Sequence, residues 1–192
     1  IRTVLILVAL SLTLGEARAR EFDRPVEFGS GEAPRYSELY EGDSRDLLDD
    51  ARAPAMSALG ANALRFSSQP ALGRTGYVIA MKATGEVEIA WFDGHPRLGW
   101  RRTHRHRFQI PQREYERVVA EVDRLMALEV VELQRRPNDE AEPAIVVCSD
   151  GPGYLTERIR DGEVRWLRPM CSGANADIAT YLTSWSFRYL GR

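Results

Sequence analysis

Strand-like runs joined by connections of hairpin length, closed twice by a single helix, restrict this chain more than any other feature. Tyr77-Val78-Ile79-Ala80-Met81-Lys82-Ala83 and Val87-Glu88-Ile89-Ala90-Trp91-Phe92 are separated only by Thr84-Gly85-Glu86, a glycine-bearing connection that suits an antiparallel hairpin. Asp93-Gly94-His95-Pro96 turns the chain into another strand from Gly99 to Ile110, and Leu64-Arg65-Phe66-Ser67 supplies a short one ahead of the hairpin. Pro111 then opens a helix, where its missing amide costs little because first-turn donors lack partners anyway. Tyr115, Val118, Val119, Val122, Leu125 and Met126 recur at three and four and share one helical face.

The second half repeats the order. After a polar break from Arg135 to Glu142 comes Ala144-Ile145-Val146-Val147-Cys148, then Tyr154 to Arg160 and Glu163 to Arg168 on either side of Asp161-Gly162, a two-residue turn. A helix from about Asn175 to Tyr189 closes the chain. Asn175 is placed to cap it, Asp177 suits its positive end, and Ile178, Tyr181, Leu182, Trp185, Arg188 and Tyr189 form its inward stripe. Leu155 and Ile159 fall on one side of their strand with Glu157 as an exception, and Tyr154, Thr156, Arg158 and Arg160 on the other, the alternation of a one-sided sheet. The fold expected over 64–192 is α+β: a mostly antiparallel sheet with two amphipathic helices on one face, in strands-helix-strands-helix order. Parallel crossovers need longer connections than these.

Ahead of that domain the chain has a different character. Arg2 is followed by an apolar core from Val4 to Leu14, then Gly15 and Ala17-Arg18-Ala19, the layout of a cleavable signal peptide over 1–19. The core is shorter than the roughly 20 apolar residues a membrane span needs. Residues 20–63 are polar, acidic and broken by Pro25, Gly29, Gly31, Pro34 and Gly42, and read as a largely irregular leader that docks only in places; Leu47, Leu48 and Ala51 could make one helical turn or two before Pro54, without a sustained period. An exported domain meets an oxidising compartment, periplasmic or extracellular, so Cys148 and Cys171 are expected to form a disulfide. Closing that loop is worth about 3 kcal/mol on a chain-entropy argument.

The run Gly76-Tyr77-Val78, Gly85-Glu86-Val87, Phe108, Tyr115 and Leu125, followed by Cys148-Ser149-Asp150-Gly151 and a terminal helix, resembles a class of uncharacterised bacterial exported domains built of strand pairs each followed by a helix. The resemblance covers roughly residues 64–190. It implies the fold and carries no activity, so no functional residue comes with it.

Charge narrows the partners. The chain holds 26 basic and 28 acidic residues for a net charge of −2, and losing 1–19 removes Arg2, Arg18 and Glu16, leaving it one unit more negative. A nucleic-acid binder would be strongly basic, so none is expected as a partner. After signal cleavage nothing in the sequence calls for stable membrane insertion, and nothing calls for a cofactor.

The most suggestive chemistry lies in Arg101-Arg102-Thr103-His104-Arg105-His106-Arg107. His104 and His106, two apart on a strand, point the same way and could share a metal ion. A site needs a third ligand, however, and five arginines between 97 and 107 would repel a dication. Arg101, Arg105 and Arg107 are therefore the candidate binding residues, because arginine meets carboxylates with planar, bidentate contacts, here those of a partner or of the protein's own acidic segment from Glu38 to Asp50. The same charges also guard an edge strand against aggregation. Asp150-Gly151-Pro152-Gly153 matches no phosphate loop and reads as a turn. No serine has a G-x-S-x-G context, and Asp49-Asp50 lies in the leader, where positioning for acid-base work is poor. Trp91, Trp100, Trp166 and Trp185 suit a core better than a carbohydrate platform.

The expectation is thus a periplasmic or secreted domain that binds an envelope or extracellular macromolecule, as an accessory subunit or inhibitor. The rival is a small hydrolase or metal-dependent enzyme using His104, His106 and an acidic residue of the leader.

Overall fold

The computed structural model describes residues 27–31, 33, 46–70, 74–135, 152–168 and 173–191. Their elements run β1 (Glu27–Ser30), α1 (Leu47–Asp50), a 3₁₀ turn (Met56–Leu59), β2 (Ala63–Gln69), β3 (Arg74–Lys82), β4 (Glu86–His95), β5 (Gly99–Gln109), α2 (Gln112–Arg135), β6 (Gly153–Arg160), β7 (Glu163–Arg168) and α3 (Ala174–Leu190). The strands form one antiparallel sheet in the order β1-β7-β6-β2-β3-β4-β5. The architecture is α+β. Glu27–Ser30, within the stretch read as a leader, supplies the edge strand beside β7. No helix among the described residues is long and apolar enough to cross a membrane.

Turn chemistry sets the register. Asp161 and Gly162 both take positive φ, 52° and 84°, as a two-residue type I′ hairpin turn requires. Gly85, at φ 82°, turns β3 into β4, and its carbonyl accepts the Ile110 amide at 2.9 Å. The Pro111 carbonyl takes the first amide bonds of α2, from Glu114 and Tyr115.

The largest core cluster gathers Leu64, Phe66, Ile79, Met81, Val87 and Ile89 from the strands with Val118, Val122, Ile178, Leu182 and Trp185 from the helices. Its polar seams are closed by specific bonds. Tyr77 Oη and Thr183 Oγ1 meet at 2.8 Å, and Trp185 Nε1 donates to Glu114 Oε1 at 2.8 Å. Arg158 Nε donates to Asp123 Oδ1 at 3.1 Å. Asn175 does not cap α3. Gly173 stands at the cap without a side-chain bond, while the buried Asn175 amide donates to Leu167 O at 2.7 Å and its carbonyl accepts from Thr156 Oγ1. Tying helix to sheet satisfies the groups of β6 and β7 that burial would otherwise orphan.

The opposite side of the sheet is covered in part. Every residue of β2 is buried, so the central strand is not one-sided. Leu47 and Leu48, each 1% exposed, pack with Val78, Phe92, Trp100 and Leu155. Two buried or half-buried bonds hold this short helix down: Leu47 N donates to Gln69 Oε1 at 2.8 Å and Trp100 N to Asp50 Oδ2 at 2.6 Å. On the same side Arg65 and Glu157 are register partners across β2 and β6; Arg65 Nε and Nη2 donate to the two Glu157 carboxylate oxygens, and Nη1 donates to Pro54 O at 2.5 Å. Glu157, an exception to the alternation of β6, is accounted for by that arginine.

Candidate functional site

The site begins with an irregularity in β5. From Glu86↔Gln109 to Trp91↔His104 the pairing of β4 and β5 is regular, and after Phe92↔Arg102 it has shifted by one residue. Thr103 is the extra residue, and its Oγ1 donates to Trp91 O at 3.3 Å. A bulge of this kind reverses the phase of everything beyond it. Counting by two from Arg107 would group Arg105, Thr103 and Arg101. The bulge groups Arg107, Arg105, Arg102 and Trp100 instead, opposite Glu88, Ala90, Phe92 and Gly94.

Arg102, Arg105 and Arg107 form one wall of a groove of about 560 Å³. Val78, Ala80, Ala90 and Phe92 give it an apolar floor, and Arg52, Ala53, Pro54 and Leu59 form the facing wall. That wall is held in place by the Arg65 contact to Pro54. Apolar floor with a few convergent charges is the usual make-up of a binding cleft, and the volume falls within the usual range of about 300–1,000 Å³.

Six cationic and three anionic side chains line the groove. Lys82 Nζ donates to Glu86 Oε2 at 2.8 Å, and this bond and charge hold the Glu86 carboxyl below the usual carboxylate range. A single oxygen, Glu88 Oε2, accepts from both Arg105 Nη2 at 2.7 Å and Arg107 Nε at 2.9 Å. Arg65 is matched by Glu157. Arg52 and Arg102 have no ion-pair partner among the described residues. The groove is therefore short of carboxylate on the β5 wall, and the Glu88 pairs, half exposed, are worth only about 0–1 kcal/mol each. An incoming carboxylate can compete with Glu88 for either guanidinium.

Of the three arginines singled out in the sequence, Arg105 and Arg107 line the groove and Arg101 does not. Arg101 is paired opposite Asp93, on the side of β5 that also carries His104 and His106. Arg102 was missed because no local signal marks a one-residue bulge inside an arginine-rich run. His104 and His106 do share a side, opposite Trp91 and Ile89, and His106 meets Trp91 edge-on with ring centres 5.7 Å apart. No group of three His, Cys, Asp or Glu side chains suited to a metal occurs among the described residues. Cys148, Cys171, the run 144–148, the segment 1–19 and most of the acidic stretch 38–50 lie outside the described residues. Trp100 and Trp185 are buried, Trp91 and Trp166 half-buried.

No protein-family model, no curated protein and no solved structure matches this chain.

Proposed function

We propose that the chain is a periplasmic or secreted binding domain, of an accessory or inhibitor kind, that holds an acidic macromolecule against the groove. The observation that carries this reading is the row Arg102, Arg105 and Arg107 on one wall of the groove, where two of the three share one carboxylate, Glu88. In a chain of net charge −2 such a row is a local excess, not a reflection of overall basicity. A positive cleft with an apolar floor attracts anionic partners and raises their rate of encounter.

The scaffold we infer has both long helices on one face of the sheet, which leaves the other to the groove and its short covering segment. One core cluster containing Val118, Val122, Ile178 and Leu182 together supports it. Export follows from the signal-like segment 1–19, and the Cys148–Cys171 disulfide from the oxidising compartment that export implies. N-terminal sequencing of the exported form should begin near Arg20. Mass mapping of its unreduced peptides should find the cysteine pair linked, and freely labelling thiols would refute that bond.

Fluorescent poly-glutamate serves to test the binding reading. Wild-type protein should bind it at low salt and lose it as salt is raised, since exposed charges are screened over about 10 Å at 0.1 M. The triple change Arg102→Ser, Arg105→Ser and Arg107→Ser should lose it at low salt as well. Equal binding by both proteins would overturn the proposal.

A further inference from the structure

β5 is the last strand of the sheet in the described residues, and its eleven residues make it the longest. The direction of its main-chain groups follows from one bond. Ile110 N donates to Gly85 O, which extends the β4–β5 register by one pair beyond Glu86↔Gln109. In an antiparallel ladder the pairs that exchange main-chain bonds alternate, so Phe108, His106 and His104 bond to β4. Arg105 and Arg107, between them, turn their N–H and C=O groups outward, past the edge. Two of the three arginines on this wall of the groove thus also offer main-chain groups that are unpaired among the described residues.

From this juxtaposition we infer that the partner contributes an extended acidic segment that adds to the sheet as a strand along β5. The inference rests on the basic-groove reading above and specifies its mode. A strand laid on β5 projects alternate side chains to each face. Those on the groove side reach Arg102, Arg105 and Arg107, and carboxylates two residues apart repeat at about the spacing of Arg105 and Arg107, roughly 6.6 Å. Those on the other side lie near His104, His106 and Trp91, where the half-buried indole favours an apolar residue. The segment recognised therefore alternates acidic and apolar residues. A second copy of this chain is a poor occupant, since β5 against β5 would bring two arginine rows together, and like charges placed directly opposite destabilise a strand pair. Main-chain bonds supply affinity and alternate side chains supply specificity in this mode of recognition.

The probe is a fluorescent peptide of alternating Glu and Val, with two further versions carrying N-methyl groups on every Glu amide or on every Val amide. All three keep the same charge, and only one of the methylated versions loses the donors that face β5. With the mature chain at low salt, strand addition predicts that the parent binds, that one methylated version binds at least about tenfold more weakly, and that the other is little changed. It also predicts that the Arg105 and Arg107 amides, followed by NMR, exchange more slowly in the complex. Equal binding by the parent and both methylated versions would overturn strand addition, as would unprotected amides in a saturated complex. In either case loss of binding in the triple serine variant would still support the groove. Failure of the parent peptide to bind at low salt also overturns strand addition, while poly-glutamate decides the groove separately.

Discussion

Arg65 and Glu157 face each other across β2 and β6 and meet twice, Nε to Oε2 at 2.5 Å and Nη2 to Oε1 at 2.7 Å, with both side chains at most 2% exposed. Desolvating two charges can cost as much as their attraction returns, so the pair is weak evidence of stability. Its structural consequence is clearer: the same guanidinium reaches Pro54 O and fixes one wall of the groove to the centre of the sheet.

Removing one partner leaves the other buried and uncompensated. Glu157→Ala should therefore lower the urea-unfolding free energy by about 3–5 kcal/mol. Changing both, Arg65→Met with Glu157→Leu, should recover most of that loss, because apolar groups of similar volume replace a buried pair at little cost. A double variant no more stable than Glu157→Ala alone would contradict this account.

The Trp185–Glu114 bond gives stability an acid limb. Burial pushes the Glu114 carboxyl up, but hydrogen bonds from Arg117 and Trp185, with the charge of Arg117, outweigh it and hold the group below the ordinary carboxylate value. A depressed folded value means the contribution is present above the unfolded pKa, about 4.3, and is lost as pH falls through the folded one. Glu114→Gln, which keeps an acceptor for the indole, should flatten the pH dependence of stability in that range. Glu114→Ala should cost about 1–3 kcal/mol near neutrality, since the buried indole N–H loses its acceptor. Thermal melts across an acid series read both effects.

Gly85 combines φ of +82° with a backbone neighbour, the Ile110 carbonyl, where a Cβ would sit. Gly85→Ala should destabilise by about 1–3 kcal/mol from strain at a left-handed position. It should also raise amide exchange at Ile110, whose bond to Gly85 O anchors the end of β5.

The helices were legible because burial imposes period: Tyr115, Val118, Val122, Leu125 and Met126 are all buried. The hairpins were legible because Asp161-Gly162 and Gly85 carry the conformation their turns need. What escaped depends on contacts that leave no local trace. Leu47 and Leu48 fall in the short helical turn expected before Pro54, but their docking on the sheet, through a bond from Leu47 N to Gln69, 22 residues away, leaves no such trace. Glu157 departs from alternation until β6 is set beside β2, where Arg65 lies 92 residues earlier. The bulge at Thr103 adds one residue between two arginine pairs, and the sequence reads alike with or without it. For that reason Arg105 and Arg107 were found as candidates and Arg102 was not.

The most direct test of the basic groove compares two neighbours. Arg101 and Arg102 carry the same charge one residue apart, yet only Arg102 lines the groove. With poly-glutamate at low salt, Arg102→Ser should weaken binding by about 1 kcal/mol or more, roughly fivefold. Arg101→Ser, an equal change in net charge, should stay close to wild type. Equal weakening by both substitutions would show that only overall charge matters and would contradict the groove as the binding surface.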